Sequence, residues 1–294
     1  MNSRRIDRIA TVIFWAGALA VIFFLGAIIG YILYHGGKYI DWGFLTKPSQ
    51  AISAGGGIGP QIFNTFYLLL LSMSITIPVG LLAGIYLSEY AGTNKFTEAI
   101  RLSIETLNSL PSIVVGLFGL LVFVNMTGWG YSLISGALAL TVLNLPFMIR
   151  ITEVSIRGVP DGLREGSLAL GANHWQTICR VVLPAAFPGL ISGVVITCGR
   201  VFEEAAALLF TAGMASPAMN FNQWNIFSGS SPLNPFRPAE TLAVHIWKIN
   251  AEGLIPDLRR VADGSAAVLI LFVLGFNLTA RWLGRRIHRK MTAT

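Results

Sequence analysis

The residues of this sequence that could do chemistry in an apolar environment are Arg200, Glu203 and Glu204. They lie in a stretch from Pro184 to Ala212 that is otherwise almost entirely apolar. A charge at the centre of a bilayer costs about 2.5–3.5 kcal/mol even on the lenient insertion scale, so a charge in such a stretch needs a reason. Arg200 carries a planar guanidinium, a forked donor that matches the oxygens of an oxyanion.

Two interpretations of this charged group stay open. On one helix Arg200 and Glu204 would be four residues apart on the same face, with Glu203 three residues from Arg200. The group is then either an internal ion pair that fixes the register of the helix against a neighbour, or part of a path across the membrane. Further polar candidates, for a path or for hydrogen bonds between helices, are Thr141, Asn144, Asn108 and Ser109.

A second candidate site is the polar interval from Arg164 to Pro184, which separates two apolar stretches. Asp161 is predicted to cap a first short helix. Gly171 can adopt the positive φ that ends this helix and lets a second one leave at an angle. Pro184 cannot continue the second helix but fits the first turn of the next one. The pattern therefore predicts a helix–turn–helix.

One face of the second short helix is predicted to be apolar. Helical spacing places on this face Ala172, Trp175, Ile178 or Cys179, and Val182. Nothing else on the same side of the chain is large enough to cover such a stripe, which favours a protein partner. An amphipathic helix that lies on the lipid surface is the alternative interpretation.

The elements that must position these residues are predicted to be membrane helices. Of the 294 residues 54% are hydrophobic and 12% are charged, and the mean hydropathy is +0.66. Soluble domains carry roughly 25% charged residues. Several apolar stretches reach the length of about 18 residues that identifies a transmembrane helix. The sequence therefore predicts an all-α, polytopic membrane protein.

Six transmembrane helices are predicted. They are Thr11–Tyr34, Gln61–Leu87, Ala99–Val124, Tyr131–Ile149, Pro184–Ala212 and Gly264–Trp282. Most of the 21 lysines and arginines fall on one side of these spans, and the positive-inside rule makes this side cytoplasmic, with both termini. The net charge of +7 is thereby explained by topology, and nucleic acid is not predicted as a partner.

Small residues predict close contacts between helices. Gly26 and Gly30 lie four residues apart in the first span, and Gly80 and Gly84 lie four apart in the second. Pairs of small residues at this spacing let two helix backbones approach each other. Both pairs are therefore expected to face a neighbouring helix.

Two segments depart from a simple span. Arg101 and Glu105 lie four residues apart near one end of the third span, where they are expected to neutralise each other. Pro111 then interrupts the same segment. In the long loop before the last span, Ala239–Asn250 mixes apolar and polar residues and is expected to lie along the membrane interface.

The sequence carries no motif for catalysis or nucleotide binding. GxxxxGK[ST] and HExxH are absent, and the four histidines fall in predicted loops or in the tail. The two cysteines have no metal-ligand spacing and are not predicted to form a disulfide. The prediction is a protein without catalytic residues, cofactor or metal. An intramembrane enzyme, and a purely structural subunit or receptor, are the alternatives from other classes.

The interval from Glu165 to Pro184 resembles the EAA loop of bacterial ABC-importer permeases, whose consensus is EAA-x3-G-x9-I-x-LP. Four consensus positions carry the same residue here, namely Glu165, Gly171, Leu183 and Pro184. The three replacements are small or conservative, with Gly166 and Ser167 for the two alanines and Val181 for the isoleucine.

In that family the loop forms coupling helices that sit in a groove of the ATPase subunit. The resemblance therefore implies a type I ABC importer permease fold and a coupling role for this loop. The implied ATPase-coupling residues are Arg164, Glu165, Gly166, Ser167, Ala169, Leu170, Gly171, Ala172, Trp175, Val181, Leu183 and Pro184.

The stretch from Arg200 to Gly213, RVFEEAAALLFTAG, is similar to the ARAxGETAxLLFTAG stretch of PstA-type phosphate permeases. Glu203 stands where that family usually has glycine, and Ala205 replaces its threonine. These departures place a second carboxylate beside Glu204. Shorter similarities to the phosphate permeases occur at 56–58, 159–160, 163–165 and 169–172.

The resemblance implies a permease subunit of an ATP-driven importer of inorganic phosphate in the cytoplasmic (inner) membrane. Arg200 is the implied anion ligand, and Glu204 would neutralise it between transport cycles. The implied partners are a PstB-type ATPase dimer, which hydrolyses ATP, a second permease of the PstC type, and a PstS-type extracytoplasmic phosphate-binding protein. A permease for molybdate, tungstate or sulfate is the alternative within the class.

Three regions of the chain are predicted. Residues 1–60 form an anchor helix and an outer loop, and residues 61–284 form the core permease domain, with the coupling helices at 160–184. Residues 285–294 form a basic cytoplasmic tail.

Overall fold

The computed structural model describes residues 3–50, 53–92, 94–253 and 256–292. These residues form helices and loops without a strand, so the all-α prediction is confirmed. The helices are α1 (Ser3–Gly37), α2 (Trp42–Thr46), α3 (Gly59–Ile85), α4 (Lys95–Asn108), α5 (Ser112–Gly119), α6 (Leu133–Arg157), α7 (Asp161–Ala169), α8 (His174–Thr177), α9 (Leu183–Glu203), α10 (Ala206–Leu209), α11 (Leu242–Glu252) and α12 (Leu258–Thr292). Three π-helical segments extend α3, α5 and α8 without a break, at Tyr86–Tyr90, Leu120–Met126 and Ile178–Val182.

Five helical segments of the described chain are long and apolar enough to cross a membrane, and a bent pair brings the number to six if it is one span. The bent pair replaces the predicted third span. Its two parts, Lys95–Asn108 and Ser112–Met126, meet at an angle of 99°. Pro111 stands at this corner, in the N-cap position of α5. A proline lacks the N–H that a continuous helix requires, which explains why the helix is interrupted here.

The predicted pair of Arg101 with Glu105 is wrong, since both side chains pair with residues of α6. Arg101 donates to Glu153, with Nε 2.8 Å from Oε1, and Arg150 and Arg157 lie 3.4 and 3.0 Å from the same carboxylate. Glu105 lies 3.6 Å from Arg150. The side chain of Glu153 is only 2% exposed. A carboxylate removed from water needs paired donors, which explains why it attracts Arg101.

Helix α6 is at the centre of the bundle, between α3 and α9, and α9 packs in turn on α12. Close contact of α3 with α6 depends on Gly80 and Gly84, as predicted. A Cβ on Gly84 would lie 2.5 Å from the Cβ of Thr152. Gly26 and Gly30 of α1 are different, because no described residue outside α1 lies within 4 Å of the position of a Cβ on either glycine. The predicted packing of Gly26 and Gly30 is therefore not made by the residues that the structure describes.

Helix α11, which covers most of the segment Ala239–Asn250 that was expected along the membrane interface, is partly buried in the helix bundle. It packs against α3 and α12, and Leu242, Val244 and Ile249 are buried. Some of the polar groups of the segment are paired inside the protein, whereas Nε2 of His245 is buried without a hydrogen-bond partner among the described residues. Gln61 of α3 donates to Glu240 at 2.8 Å, and Nδ1 of His245 lies 3.1 Å from the other oxygen of the same carboxylate.

The loop between α10 and α11 is fixed to α3 by Arg237. Its Nη2 donates to Oδ1 of Asn64 at 2.7 Å and to the carbonyl of Pro232 at 2.9 Å. Burial lowers the pKa of Arg237 to about 10, against an opposing effect of Tyr67. The side chain therefore remains charged at neutral pH and holds both contacts.

The last helix runs past the predicted boundary between the core domain and the tail. Helix α12 begins at Leu258, before the predicted start at Gly264, and continues to Thr292. Residues 285–292 are therefore helical, and residues 293 and 294 lie outside the described part of the chain.

Replacement of Gly84 by alanine tests the contact between α3 and α6. The added Cβ would meet the Cβ of Thr152 and lie 2.9 Å from the carbonyl of Ile149, neither of which can move without its backbone. We expect Gly84→Ala to destabilise the fold by about 1–3 kcal/mol, as overpacking typically does. The matched control is Gly26→Ala, which has open space around it. Thermal unfolding of the purified protein in detergent measures both, and equal melting temperatures would contradict the packing.

Candidate functional site: a coupling elbow and a membrane arginine

The two short helices predicted between Arg164 and Pro184 are present and form a bent unit. We call residues 161–182 the elbow. The first arm, α7, ends at a glycine turn, since Gly171 has a φ of +84°. The N–H of Gly171 donates to the carbonyl of Leu168 and the N–H of Ala172 to that of Ser167, the bond pair of a Schellman motif. The predicted role of Gly171 is confirmed.

The second arm of the elbow starts at a capping box. Asn173 accepts from the N–H of Gln176 at 2.8 Å, and the Gln176 side chain accepts from the N–H of Asn173 at 3.0 Å. The hydroxyls of Ser167 and Thr177 lie 2.9 Å apart and join the two arms. Local bonds therefore hold the angle of the elbow without help from another chain.

The predicted cap at Asp161 is wrong. Pro160 occupies the cap position, and no side-chain cap bond is made. The carboxylate of Asp161 instead accepts from Nη1 of Arg164 at 3.0 Å. Arg164, three residues further along α7, therefore competes with the backbone N–H groups of the helix start for the carboxylate of Asp161.

The second arm continues into the membrane helix, although Pro184 was predicted to separate the two. Residues His174–Glu203 form one continuous helical segment. The wider π-helical turn at Ile178–Val182 precedes Pro184 directly. A proline in a helix lacks one N–H and crowds the preceding turn, and a π-helical turn is a known way to relieve this conflict. The elbow is thus continuous with the helix that carries Arg200.

The predicted apolar stripe of the second arm is half correct. Ile178 and Val182 are fully buried in this chain's own core, against Ile156 and Ile85. Trp175 remains exposed, and Leu170 at the corner is 91% exposed. The stripe is covered because the π-helical turn points its residues toward α3 and α6. The apolar surface left for a partner is therefore the corner and not the whole second arm.

The predicted coupling residues divide into two groups by exposure. The exposed group consists of Glu165, Gly166, Ala169, Leu170, Gly171 and Trp175. The half-buried group consists of Arg164, Ser167, Ala172, Val181, Leu183 and Pro184. The first group is accessible to a partner, whereas the second shapes the elbow and its attachment.

Arg164 attaches the elbow to the membrane helices. Its Nη2 lies 3.0 Å from Oε1 of Glu89, which stands in the π-helical end of α3. The same guanidinium donates to the carbonyls of Ile156 at 2.7 Å and Val159 at 2.6 Å. Only 6% of the Glu89 side chain is exposed. Three segments of the chain therefore meet at one side chain.

Sequence reasoning missed Glu89 and Glu153, the two buried carboxylates at this end of the bundle. Glu89 is 75 residues from Arg164, and Glu153 is 52 residues from Arg101, so helical spacing gives no signal for either pair. The available signal was an excess of arginines near the ends of spans. The positive-inside rule was sufficient to explain that excess, so the sequence offered no reason to look for a carboxylate partner of each arginine.

The second candidate site, around Arg200, also differs from its prediction. Helix α9 ends at Glu203, and Glu204 has an extended backbone with ψ of 123°. Oε1 of Glu204 accepts from the N–H of Ala207 at 3.0 Å, at the start of α10. A carboxylate that accepts from a free backbone N–H stabilises a helix start, which favours the break. The predicted continuous span to Ala212 is therefore wrong.

The predicted pair of Arg200 with Glu204 is absent, because the two residues no longer share a helix face. Half-buried Arg200 lies over the ring of Phe147, with its guanidinium carbon 5.4 Å from the ring centroid. No carboxylate among the described side chains pairs with it. Arg200 stands in the last turn of α9, where the partial negative charge of the helix end favours a cation. Glu203 is exposed.

None of the other polar candidates makes a hydrogen bond to Arg200 in the part of the chain that the structure describes. Thr141 lies 3.4 Å from the hydroxyl of Thr76, which is a contact between helices, and the amide of Asn144 donates within α6 to Leu140. Asn108 and Ser109 are exposed at the corner between α4 and α5. Thr141 therefore contributes to packing between α3 and α6. The charged residues Arg200, Glu203 and Glu204 all lie in the last turn of α9 or directly after it.

A bundle of five to six spans with an elbow built into one of them defines the type I ABC importer permease class. The family model described as "Binding-protein-dependent transport system inner membrane component" matches residues 76–293. The chain belongs to this family and is a multi-pass inner-membrane protein.

Two relatives illustrate the range of similarity. The "Probable ABC transporter permease protein YqgI" of Bacillus subtilis (strain 168) is 54% identical over 293 residues, which cover 100% of both chains. The "Phosphate transport system permease protein PstA" of Xylella fastidiosa (strain 9a5c) is 34% identical over 238 residues, covering 81% of this chain and 78% of the relative.

Solved structures of other transporters share the fold. A chain of a bacterial alginate ABC transporter matches with a TM-score of 0.68 at 17% identity, covering 97% of this chain and 96% of that chain. A chain of the MetNI methionine ABC transporter matches with a TM-score of 0.54 at 21% identity, covering 80% of this chain and 94% of that chain. At these identities the likeness concerns the fold alone.

Replacement of Arg164 by methionine tests the attachment of the elbow. The change leaves Glu89 buried without its guanidinium, which typically costs about 3 kcal/mol or more for a buried pair. The cost should be lower here, because Arg164 keeps some contact with solvent. We expect a clear decrease in the thermal unfolding temperature of the purified protein.

The matched control for this prediction is Arg180→Met, which removes an exposed arginine from the same elbow. Adding Glu89→Leu to Arg164→Met should restore part of the lost stability, because it removes the unpaired charge. Additive effects of the two changes would show that the pair is not coupled.

Proposed function

We propose that this chain forms one half of the membrane pore of an ATP-driven importer of inorganic phosphate. Membership of the importer permease family supports transport, and PstA relatives at 34% identity support phosphate. The stretch from Arg200 to Gly213 adds a local similarity to those permeases. The name of the relative at 54% identity gives no substrate, so the assignment of phosphate rests on the PstA relatives and on the similarity of the stretch from Arg200 to Gly213.

The observation that carries this proposal is the state of Arg200. Its guanidinium lies within a membrane helix, half-buried, without a paired carboxylate among the described side chains. A tetrahedral oxyanion that leaves water needs charged, forked donors in place of its hydration shell. An anion can bind Arg200 without first displacing an acidic side chain. The end of α9 stabilises the cation between cycles, which replaces the role first expected of Glu204.

Coupling to ATP hydrolysis is proposed to occur through the exposed corner of the elbow. Leu170 and Trp175 present apolar surface, and Glu165 lies on the first arm beside them. A groove of a PstB-type ATPase dimer is the proposed docking site. The continuous helix from His174 to Glu203 would carry displacement of the elbow to Arg200. Movement of a rigid helix by a partner is a common form of switching in transporters and other proteins.

The remaining partners follow from the same proposal. A second permease of the PstC type would complete the pore, and a PstS-type binding protein would deliver phosphate at the end opposite the elbow. The elbow and both termini would lie in the cytoplasm, in agreement with the distribution of basic residues. The chain contains no P-loop, so ATP hydrolysis is assigned to the partner chain.

Replacement of Arg200 by alanine tests the phosphate site. We expect Arg200→Ala to abolish phosphate uptake by the reconstituted complex while the complex still assembles, because Arg200 forms no ion pair with any side chain that the structure describes. Arg200→Lys should restore only part of the uptake, since an ammonium lacks the planar fork. Radiolabelled phosphate uptake into proteoliposomes is the measurement.

The control for this experiment is Glu204→Gln. A glutamine oxygen can still accept from Ala207, so uptake should remain near normal, whereas loss of uptake would favour the original ion-pair hypothesis. Normal phosphate uptake by Arg200→Ala would overturn the proposed site. Uptake of molybdate, tungstate or sulfate in place of phosphate by the unaltered complex would reassign the substrate.

Replacement of Leu170 by aspartate tests the docking of the elbow. A charge at the exposed corner should weaken binding of the ATPase subunit, because it would be buried in the proposed groove. We expect Leu170→Asp to reduce co-purification of the ATPase and to uncouple its activity from transport. The matched control is Phe227→Asp, which is equally exposed at 91% but lies in the loop between α10 and α11. Equal effects of both changes would place the docking surface elsewhere.

A further inference from the structure

A groove opens between α9 and α12 near the end of the bundle that carries the elbow. Its volume is about 320 Å³. The walls are largely apolar and include Ile191, Val195 and Ile196 of α9. Arg281 and Arg285 of α12 line the same groove. The combination of an apolar trough with two cations does not belong to either site described above.

The depth of the groove follows from its position on α9. Ile191 lies eight residues after Leu183, roughly 12 Å along the helix from the elbow. Gly284 fixes α12 at the same level, since a Cβ on this glycine would lie 2.7 Å from Cγ2 of Ile191. The groove therefore runs from roughly 8 Å beyond Leu183, at Pro188, to roughly 20 Å, at Ile196, and leads from the elbow side of the bundle toward its middle.

The two arginines are suited to bind an anion together. Arg281 and Arg285 are four residues apart on one helix face, and both are exposed. Neither pairs with a carboxylate among the side chains that the structure describes. Beside them, Arg286 lies over the ring of Trp282 with its guanidinium carbon 5.2 Å from the centroid. Exposed tryptophan and arginine at a helix end are typical of the headgroup level of a bilayer.

We propose that this groove binds one anionic phospholipid, such as phosphatidylglycerol. Its phosphate lies between Arg281 and Arg285, and one acyl chain follows the apolar wall of Ile191, Val195 and Ile196. Basic pockets between membrane helices near a membrane surface bind the headgroups of anionic lipids in this way. The lipid bridges α9, which is continuous with the elbow, and α12.

The lining of the groove favours a lipid over the other candidate occupants. A free phosphate ion would gain two guanidiniums but would lose hydration against the apolar wall, with no compensating donor there. An acidic side chain of a partner protein would pair with the arginines, but it would leave the apolar part of the groove along α9 unfilled. A phospholipid supplies both the anion and an apolar chain.

The test uses the full-length chain, purified together with its partner subunits and reconstituted in nanodiscs of phosphatidylglycerol and phosphatidylcholine. Native mass spectrometry counts the phosphatidylglycerol molecules that stay bound after transfer to detergent. The double variant Arg281→Gln/Arg285→Gln should bind phosphatidylglycerol roughly 30-fold more weakly, as two charges near a membrane surface predict. Arg286→Gln, the matched control, removes a neighbouring charge outside the groove and should retain the lipid.

A second variant keeps both arginines and fills the trough. Ser192→Trp places a large ring in the groove, and it should also release the lipid. Retention of phosphatidylglycerol by both variants at the level of the unaltered protein would overturn the proposal. Displacement of the lipid by inorganic phosphate would overturn it in favour of an oxyanion site. Loss of a partner subunit from the double variant, with lipid binding unchanged, would overturn it in favour of a protein contact.

Discussion

The attachment of the elbow depends on the hydrogen bonds of Arg164. One guanidinium holds the buried carboxylate of Glu89, the carbonyl of Ile156 in the last turn of α6 and the carbonyl of Val159 just after it, so the ends of α3 and α6 and the first arm of the elbow move together. These acceptors have little access to water, and leaving them without a donor would be costly. The elbow is therefore a fixed part of the membrane bundle. A displacement of the exposed corner at Leu170 would therefore move the bundle as well, because the elbow is fixed to the ends of α3 and α6.

The same unit explains how the two candidate sites are related. A helix leaves the elbow and continues without a break to Glu203, and Arg200 stands in its last turn. The helix end supplies the partial negative charge that holds the guanidinium, and Glu204 is used to start the next helix. One continuous helix therefore links the corner of the elbow to Arg200, the proposed anion ligand.

Much of this arrangement could be predicted from local sequence. Gly171 predicted the turn of the elbow, and hydropathy predicted the positions of most spans. Both predictions depend only on residues that are close together in the sequence. The sequence did not reveal the partner of Arg101 or the burial of the segment around His245, since these depend on residues far away in the chain. The break at Glu204 also escaped prediction, because its cause is one hydrogen bond and no glycine or proline marks it.

Rigid attachment of the elbow is tested most directly by a distance within one chain. Spin labels on Gly162→Cys in the first arm, which is exposed with open space around it, and on Tyr86→Cys at the end of α3 report this distance by pulsed electron resonance, with Cys179 and Cys198 replaced by serine. If the elbow is rigidly attached, the distance distribution will be the same in the nucleotide-free and ATP-bound states of the assembled transporter. A distribution that shifts or broadens when ATP binds would show that the elbow moves on the bundle and would contradict the account.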